Sequence, residues 1–135
     1  MRTINERLAY NYMEHTWVHH SILNGKTIEK AEIMDNEIWI YTNTFVYKLF
    51  HHQYDIETVN IVNCDIDLST IKDEQVLSCS LFDKEETDLD GDFIAWQFFK
   101  LTTDKNCFTI AIFGRSYDWY NKTMDLYQYP RVSIQ

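Results

Sequence analysis

Short runs of β-branched and aromatic residues, separated by turn-forming residues, are the feature that most limits how this chain can fold. The stretches 37–41, 44–50 and 107–113 are of this kind, and runs of this length and composition are typical of strands. Only three glycines and one proline are present, so long flexible linkers are not expected. The pattern predicts a compact, β-rich body.

Two residue pairs predict tight turns between strands. Asn24 and Gly25 stand between the stretches 17–23 and 26–34, and an Asn-Gly pair is a strong hairpin signal because both residues accept positive φ. Asp35 and Asn36 mark a second turn. Further strands are predicted over 58–64, 76–82, 93–102, 107–113 and 123–129, with a short helical turn over 67–72.

The N-terminal segment follows a different pattern. Thr3 and Glu6 have the spacing of a capping box, in which each side chain pairs with the backbone of the other residue at the start of a helix. Apolar residues then recur at helical spacing. These two signals predict a short helix over 3–13.

The chain length sets the domain organisation. With 135 residues, one domain and one hydrophobic core are expected. We predict an α+β protein with a helical segment over 1–16 and a β-rich body over 17–135. The body is expected to be mainly an antiparallel β meander or twisted sheet with one short helical turn.

Negative charge is concentrated in the middle of the chain. The net charge is −9, and residues 55–92 alone contribute −10, from twelve acidic and two basic residues. The stretch 83–92 is the densest part, with six acids and one base. Because carboxylates are not buried without partners, we expect a solvated acidic loop over 83–92.

The acidic loop has two interpretations. Most such charge runs are solubilising loops, but this one can also steer a host or cognate protein with a basic surface. Direct binding to nucleic acid is not expected, because phosphate contacts need a basic patch. In the second interpretation the partner contacts the acidic side chains of Asp83, Glu85, Glu86, Asp88, Asp90 and Asp92.

Aromatic residues form a second candidate surface. Tyr117, Trp119 and Tyr120 follow Arg115 in a predicted loop, and Tyr, Trp and Arg dominate binding hot spots. We therefore predict that these four residues contact a partner. The aromatic residues near 96–99 are expected in the core, with those at 96 and 98 on one strand face.

The cysteines and histidines predict no cofactor and no metal. Three scattered cysteines do not make a disulfide framework, so buried free thiols are expected. A composite metal site across neighbouring strands remains an open alternative, since imidazoles bind zinc. Its ligands would come from His19, His20, His51 and His52.

Three segments, His51–Val59, Ala95–Lys100 and Gly114–Asn121, resemble a domain of unknown function found in small phage and prophage proteins. Their order agrees with that family, and the similarity spans about residues 23–126. The family has paired cysteines where this chain has Asp55 and Ile56. The resemblance implies a β-rich product of phage type and no particular reaction.

These observations favour a binding protein over an enzyme. We expect a small acidic, phage-type protein that binds and inhibits a host protein such as a defence nuclease, as anti-CRISPR proteins and nucleic-acid mimics do. The alternatives are an immunity protein that neutralises a cognate toxin and a metal-assisted hydrolase that uses the histidines. With no signal region and no apolar run of bilayer length, we expect no membrane contact and a cytoplasmic location in the host cell.

Overall fold

A computed structural model describes residues 6–11, 13–52, 57–87, 90–116 and 122–132. Over these residues the chain forms one α-helix, α1 (Glu6–Tyr10), and two 3-10 helices, His20–Leu23 and Leu68–Thr70. The strands in the same residues are β1 (Thr16–Trp17), β2 (Thr27–Ile28), β3 (Lys30–Met34), β4 (Glu37–Tyr41), β5 (Phe45–Phe50), β6 (Thr58–Cys64), β7 (Glu74–Thr87), β8 (Phe93–Thr103), β9 (Cys107–Ser116) and β10 (Asp125–Pro130).

The strands build two five-stranded antiparallel sheets. The order in the first sheet is β1-β10-β5-β4-β3, and in the second it is β2-β7-β8-β9-β6. One of the two sheets curves into a half-barrel. The predicted mainly antiparallel β protein with one N-terminal helix and a short helical turn is confirmed. The strands do not follow a simple meander, because β6 pairs with β9 and β10 pairs with both β1 and β5.

The first sheet buries side chains on both faces. Successive residues of a strand point to opposite faces. Along β4, Ile38 and Ile40 therefore face the second sheet, whereas Trp39 and Tyr41 face the other way and pack with Tyr10 of α1. This two-sided burial explains why β4 is apolar at four consecutive positions after Glu37. The main core lies between the two sheets.

A buried lysine lies on the outer, helix-covered face of the first sheet. The Nζ atom of Lys48 lies 3.9 Å from the ring centre of Phe50 and 5.2 Å from that of Trp39. Glu37 Oε2 is 3.8 Å away. Burial lowers the pKa of Lys48, and the nearby Glu37 carboxylate opposes that shift. Aromatic rings and one carboxylate thus replace the water that the ammonium group loses on folding.

The two outermost described segments are tied together on that same face. Arg131 Nε donates to Glu6 Oε1 at 2.9 Å, and Arg131 Nη1 donates to the carbonyl oxygen of Thr42 at 2.8 Å. The backbone N–H of Val132 donates to the Tyr10 hydroxyl at 3.0 Å. These bonds fix α1 across the first sheet.

The hairpin predicted at Asn24 and Gly25 is wrong. Lys26 N donates to Leu23 O at 3.0 Å, Asn24 has φ −58° and Gly25 has φ +84°, which together define a type II turn. Residues 20–23 form a 3-10 helix instead of a strand, and His19 Nδ1 caps it by accepting from Ser21 N. The turn therefore leads from that helix to the second sheet.

The turn predicted at Asp35 and Asn36 is confirmed. Their φ angles of 53° and 61° are those of a type I′ hairpin turn between β3 and β4. The Asn36 side chain also contacts the second sheet. Its amide donates to the carbonyl oxygen of Val59 and accepts from Ile61 N at 2.7 Å. One side chain thus satisfies two backbone groups on the edge of β6.

The acidic loop predicted over 83–92 is wrong for its first half. Residues 83–87 continue β7, pairing with β8 from Asp83↔Gln97 to Thr87↔Phe93. Charged side chains are tolerated there because residues 83–87 are all exposed. Similarly, residues 114–116 belong to β9 rather than to a loop.

The predicted helix is confirmed over Glu6–Tyr10, and Thr3 of the capping box lies outside the described residues. In the part of the chain that the structure describes, no helix has the length and apolar composition of a membrane span.

Candidate functional site

Strand alternation divides the β7–β8 hairpin into two surfaces. Phe82, Lys84 and Glu86 lie on the outer face of the second sheet, whereas Asp83 and Glu85 lie on the inner, concave face. The neighbouring strands follow the same register, because Trp96 pairs with both Lys84 and Phe113. The two surfaces of the hairpin therefore differ in chemistry.

An aromatic patch occupies the outer face, and we define it as Phe82, Trp96, Phe98 and Phe113. The ring centres of Phe82 and Phe98 are 5.2 Å apart, and those of Trp96 and Phe113 are 4.9 Å apart. Phe82 is 51% exposed, and the other three are half-buried. Such a contiguous exposed aromatic surface is typical of interaction sites.

The expectation that Trp96 and Phe98 lie in the core is wrong. They do share one strand face, as predicted, but it is the outer face of the second sheet. The alternate residues of β8, Phe99 and Leu101, are fully buried in the main core. The intervening Gln97 is also buried and bonds to the backbone of Met124 on both sides of its amide.

Exposed carboxylates line both faces of β7, and of these only Glu86 shares the outer face with the aromatic patch. Glu85 and Glu86 are exposed on β7, and the Asp90 side chain is 84% exposed in the turn that follows. Asp83 is exposed as well, yet partial desolvation raises the pKa of its carboxyl, and Glu85 and Asp125 raise it further. A hydrogen bond from Gln97 opposes this shift. The hairpin therefore presents negative charge along one strand.

Asp92 does not belong to the exposed set. It is buried, and Arg115 Nε donates to its Oδ2 atom at 2.9 Å. Such charge-assisted bonds are stronger than neutral ones. The Arg115 side chain stays 42% exposed and also lies 3.9 Å from Asp90 Oδ2. The structure thus joins predicted site residues from the acidic and aromatic segments, with Asp92 as an anchor rather than a contact.

Lys122 closes the concave side of the hairpin. Its Nζ atom lies 3.9 Å from Glu85 Oε1 and 5.6 Å from the ring centre of Phe93. Gly114 of β9 packs so tightly here that an added Cβ would be 1.9 Å from the carbonyl oxygen of Lys122. Glycine is required at position 114 for this close approach.

Four predicted site residues, Asp88, Tyr117, Trp119 and Tyr120, lie outside the described residues. The predicted contact through the aromatic loop after Arg115 therefore stays a prediction. Sequence reasoning did not find Phe82 and Phe113 as surface residues. Their exposure follows from the strand register, which is known only when β7, β8 and β9 are aligned.

The rings of His19 and His20 lie with their centres 3.9 Å apart, and His51 makes other contacts. His51 is buried, with Nδ1 at 3.0 Å from the carbonyl oxygen of Thr123 and Nε2 at 3.1 Å from Glu57 Oε1. Because a carbonyl only accepts hydrogen bonds, Nδ1 is the donor to Thr123, and Nε2 contacts Glu57. His19 caps the first 3-10 helix. Within the described ranges, no three metal-ligating side chains form a group.

The thiols differ in exposure. Cys79 is buried, and desolvation raises its pKa to about 12. Burial also raises the pKa of Cys64. Cys107 is exposed, so the prediction of buried free thiols is confirmed for Cys79 and wrong for Cys107.

Comparison with known proteins finds no match to a protein-family model, a curated protein or a solved structure. The resemblance to the phage and prophage domain therefore stays a prediction.

Proposed function

We propose that this protein is a non-catalytic binding protein that inhibits a host protein through the outer face of its β7–β8 hairpin. The observation that carries the proposal is the exposed aromatic patch, with Glu86 on the same face and Asp90 in the turn that follows. A few residues, with Trp, Tyr and Arg enriched among them, supply most of the binding energy at protein interfaces. Charges around them select the partner and speed its approach.

The partner we propose has a basic surface. The net charge of −9 and the exposed Glu86 and Asp90 support this choice, because complementary charges attract over about 10 Å at moderate salt. A nucleic-acid enzyme such as a defence nuclease has such a surface where it binds phosphates. In this proposal the chain is a phage-type protein that acts in the host cytoplasm.

An immunity protein would use the same surface against one dedicated toxin, encoded next to it. A metal-assisted hydrolase is not proposed, because His51 is engaged by Glu57 and Thr123 and His19 caps a helix.

The proposal can be tested by affinity capture from host-cell lysate. One variant carries Phe82→Ser and Trp96→Ser, and a second carries Glu85→Gln, Glu86→Gln and Asp90→Asn. We expect the native protein to capture one basic partner and both variants to lose it. High salt should weaken capture by the native protein, because salt screens exposed charges.

The matched control is Trp17→Ser, because Trp17 is an exposed aromatic residue, 64% accessible, on β1 of the first sheet. It should capture the partner as the native protein does. If all four proteins capture the same partner, or none captures any, the hairpin is not the binding surface.

A further inference from the structure

Most of β7 has an unpaired edge. On the side away from β8, β2 pairs with Glu74 and Gln75 only, and the backbone of Val76 bonds to Gly25 and Lys26. Beyond Val76, no strand among the described residues pairs with this side of β7. The 3-10 helix His20–Leu23 also contacts β7, and where that helix does not cover it the edge over 78–87 presents backbone N–H and C=O groups that another strand can pair with.

The end of this edge is open on both faces. Each of the residues 83–87 is exposed, as is Phe82. A strand added here would extend the second sheet, and its side chains would alternate between the two surfaces of the hairpin. On the concave side they would lie next to Asp83 and Glu85. On the outer side they would lie next to Phe82 and the aromatic patch.

These two surroundings specify the side chains of the added strand. Lysine or arginine fits beside Asp83 and Glu85, since opposite charges on neighbouring strands stabilise a sheet. An apolar side chain fits beside Phe82, since aromatic and β-branched neighbours also stabilise it. The outer face continues with Lys84 and Glu86, which accept charge of either sign.

We propose that β7 binds an extended segment of the partner protein as an added strand, with basic and apolar residues alternating along that segment. The inference rests on the proposed function and specifies how the partner is held. Backbone hydrogen bonds supply affinity in this mode, and the alternate side chains supply specificity.

The same charges also have a protective role, because charged edge strands resist pairing with copies of themselves. In a two-fold pair of β7 strands the concave side would bring together Asp83 and Glu85 of both copies, which repel each other. Protection alone does not account for the aromatic patch beside the edge. A partner that is both basic and apolar accounts for both features.

The probe is a synthetic peptide of about ten residues that alternates lysine with valine, which is long enough for one strand. Its binding to the native protein is measured by fluorescence anisotropy, and hydrogen exchange locates the protected amides. A peptide of the same composition with its lysines and valines in two blocks is the control. The variant Asp83→Lys/Glu85→Lys tests the charge preference.

We expect the alternating peptide to slow exchange of the amides in 78–87, and the blocked peptide not to. The double variant should weaken binding by about tenfold or more. Equal binding of both peptides, or binding without protection of 78–87, would overturn the added strand.

Protection that rises with protein concentration without peptide would show self-pairing instead and would also overturn it. The proposed function is tested separately by the lysate capture with Phe82→Ser/Trp96→Ser. If the peptide experiment fails and the native protein still captures a partner that Phe82→Ser/Trp96→Ser loses, the partner binds the outer face and not the edge of β7.

Discussion

The Gln97 side chain connects the two sheets, and its replacement should weaken the whole fold. Its Nε2 atom donates to the carbonyl oxygen of Met124 at 2.9 Å, and its Oε1 atom accepts from Met124 N at 2.8 Å. The change Gln97→Met keeps the size of the side chain and removes both bonds. The N–H and C=O of Met124 then stay buried without these partners.

The magnitude follows from those two groups. Each buried backbone group left unsatisfied costs about 1–3 kcal/mol, or roughly 2–6 kcal/mol for the pair. Burying a thioether instead of an amide returns about 1–2 kcal/mol. We therefore expect Gln97→Met to lower the free energy of unfolding by about 1–4 kcal/mol, a large share of the stability of a small domain.

Urea unfolding followed by tryptophan fluorescence measures this change, with the midpoint falling and the slope unchanged. The control is Gln75→Met, because Gln75 is exposed and its side chain makes one long bond of 3.4 Å to Gly25 O. That variant should stay within about 0.5 kcal/mol of the native protein. If Gln97→Met is as stable as the control, the amide bridge between the sheets does not hold them together.

Three further predictions concern single residues. Asn36→Gly keeps the positive φ of the turn and removes the amide at β6, so urea unfolding should show a loss of about 1–2 kcal/mol; Asn36→Asp, which keeps only the acceptor, should lose less. Burial lowers the pKa of Lys48, so the unfolded state holds this proton more tightly and stability rises with pH in the alkaline range. Lys48→Met should flatten that rise in the range below about pH 10, the ordinary pKa of lysine, and an unchanged slope would contradict this assignment. In the native protein a thiol reagent should modify Cys107 at once and Cys79 only after unfolding; early labelling of Cys79 would mean that its part of the core opens.

Local signals predicted the hairpins only where tertiary contacts agreed with them. The turn at Asp35 and Asn36 formed as expected, because the flanking β3 and β4 pair with each other. At Asn24 and Gly25 the signal was stronger, but β1 pairs with β10. That long-range pairing leaves residues 20–23 without a partner strand, and they close into a 3-10 helix.

The composition of the sequence predicted the acidic residues of the candidate site but not their positions in the fold. The charge at 83–87 suggested a loop, since strands are usually apolar on one face at least. Here β8 supplies the hydrogen-bonding partner, so the charged residues can continue the strand with both faces exposed. Trp96 and Phe98 were expected in the core because large aromatic residues are usually buried, whereas the buried residue is Gln97 between them.

Distant pairings could not be predicted at all. β6 joins β9 across about fifty residues, with Val59 opposite Gly114. Position 114 is a glycine because the backbone of Lys122 lies against it. Nothing near position 59 in the sequence specifies that partner.

The contact of Arg131 and Val132 with Glu6 and Tyr10 has a practical consequence for any assembly built with this protein. Both outermost described segments lie on the helix-covered face of the first sheet, and the aromatic patch lies on the far face of the second sheet. A linker attached on either side of them would anchor the molecule with the hairpin pointing away from the support. An immobilised copy would thus present its open strand edge in one orientation to binding partners in solution.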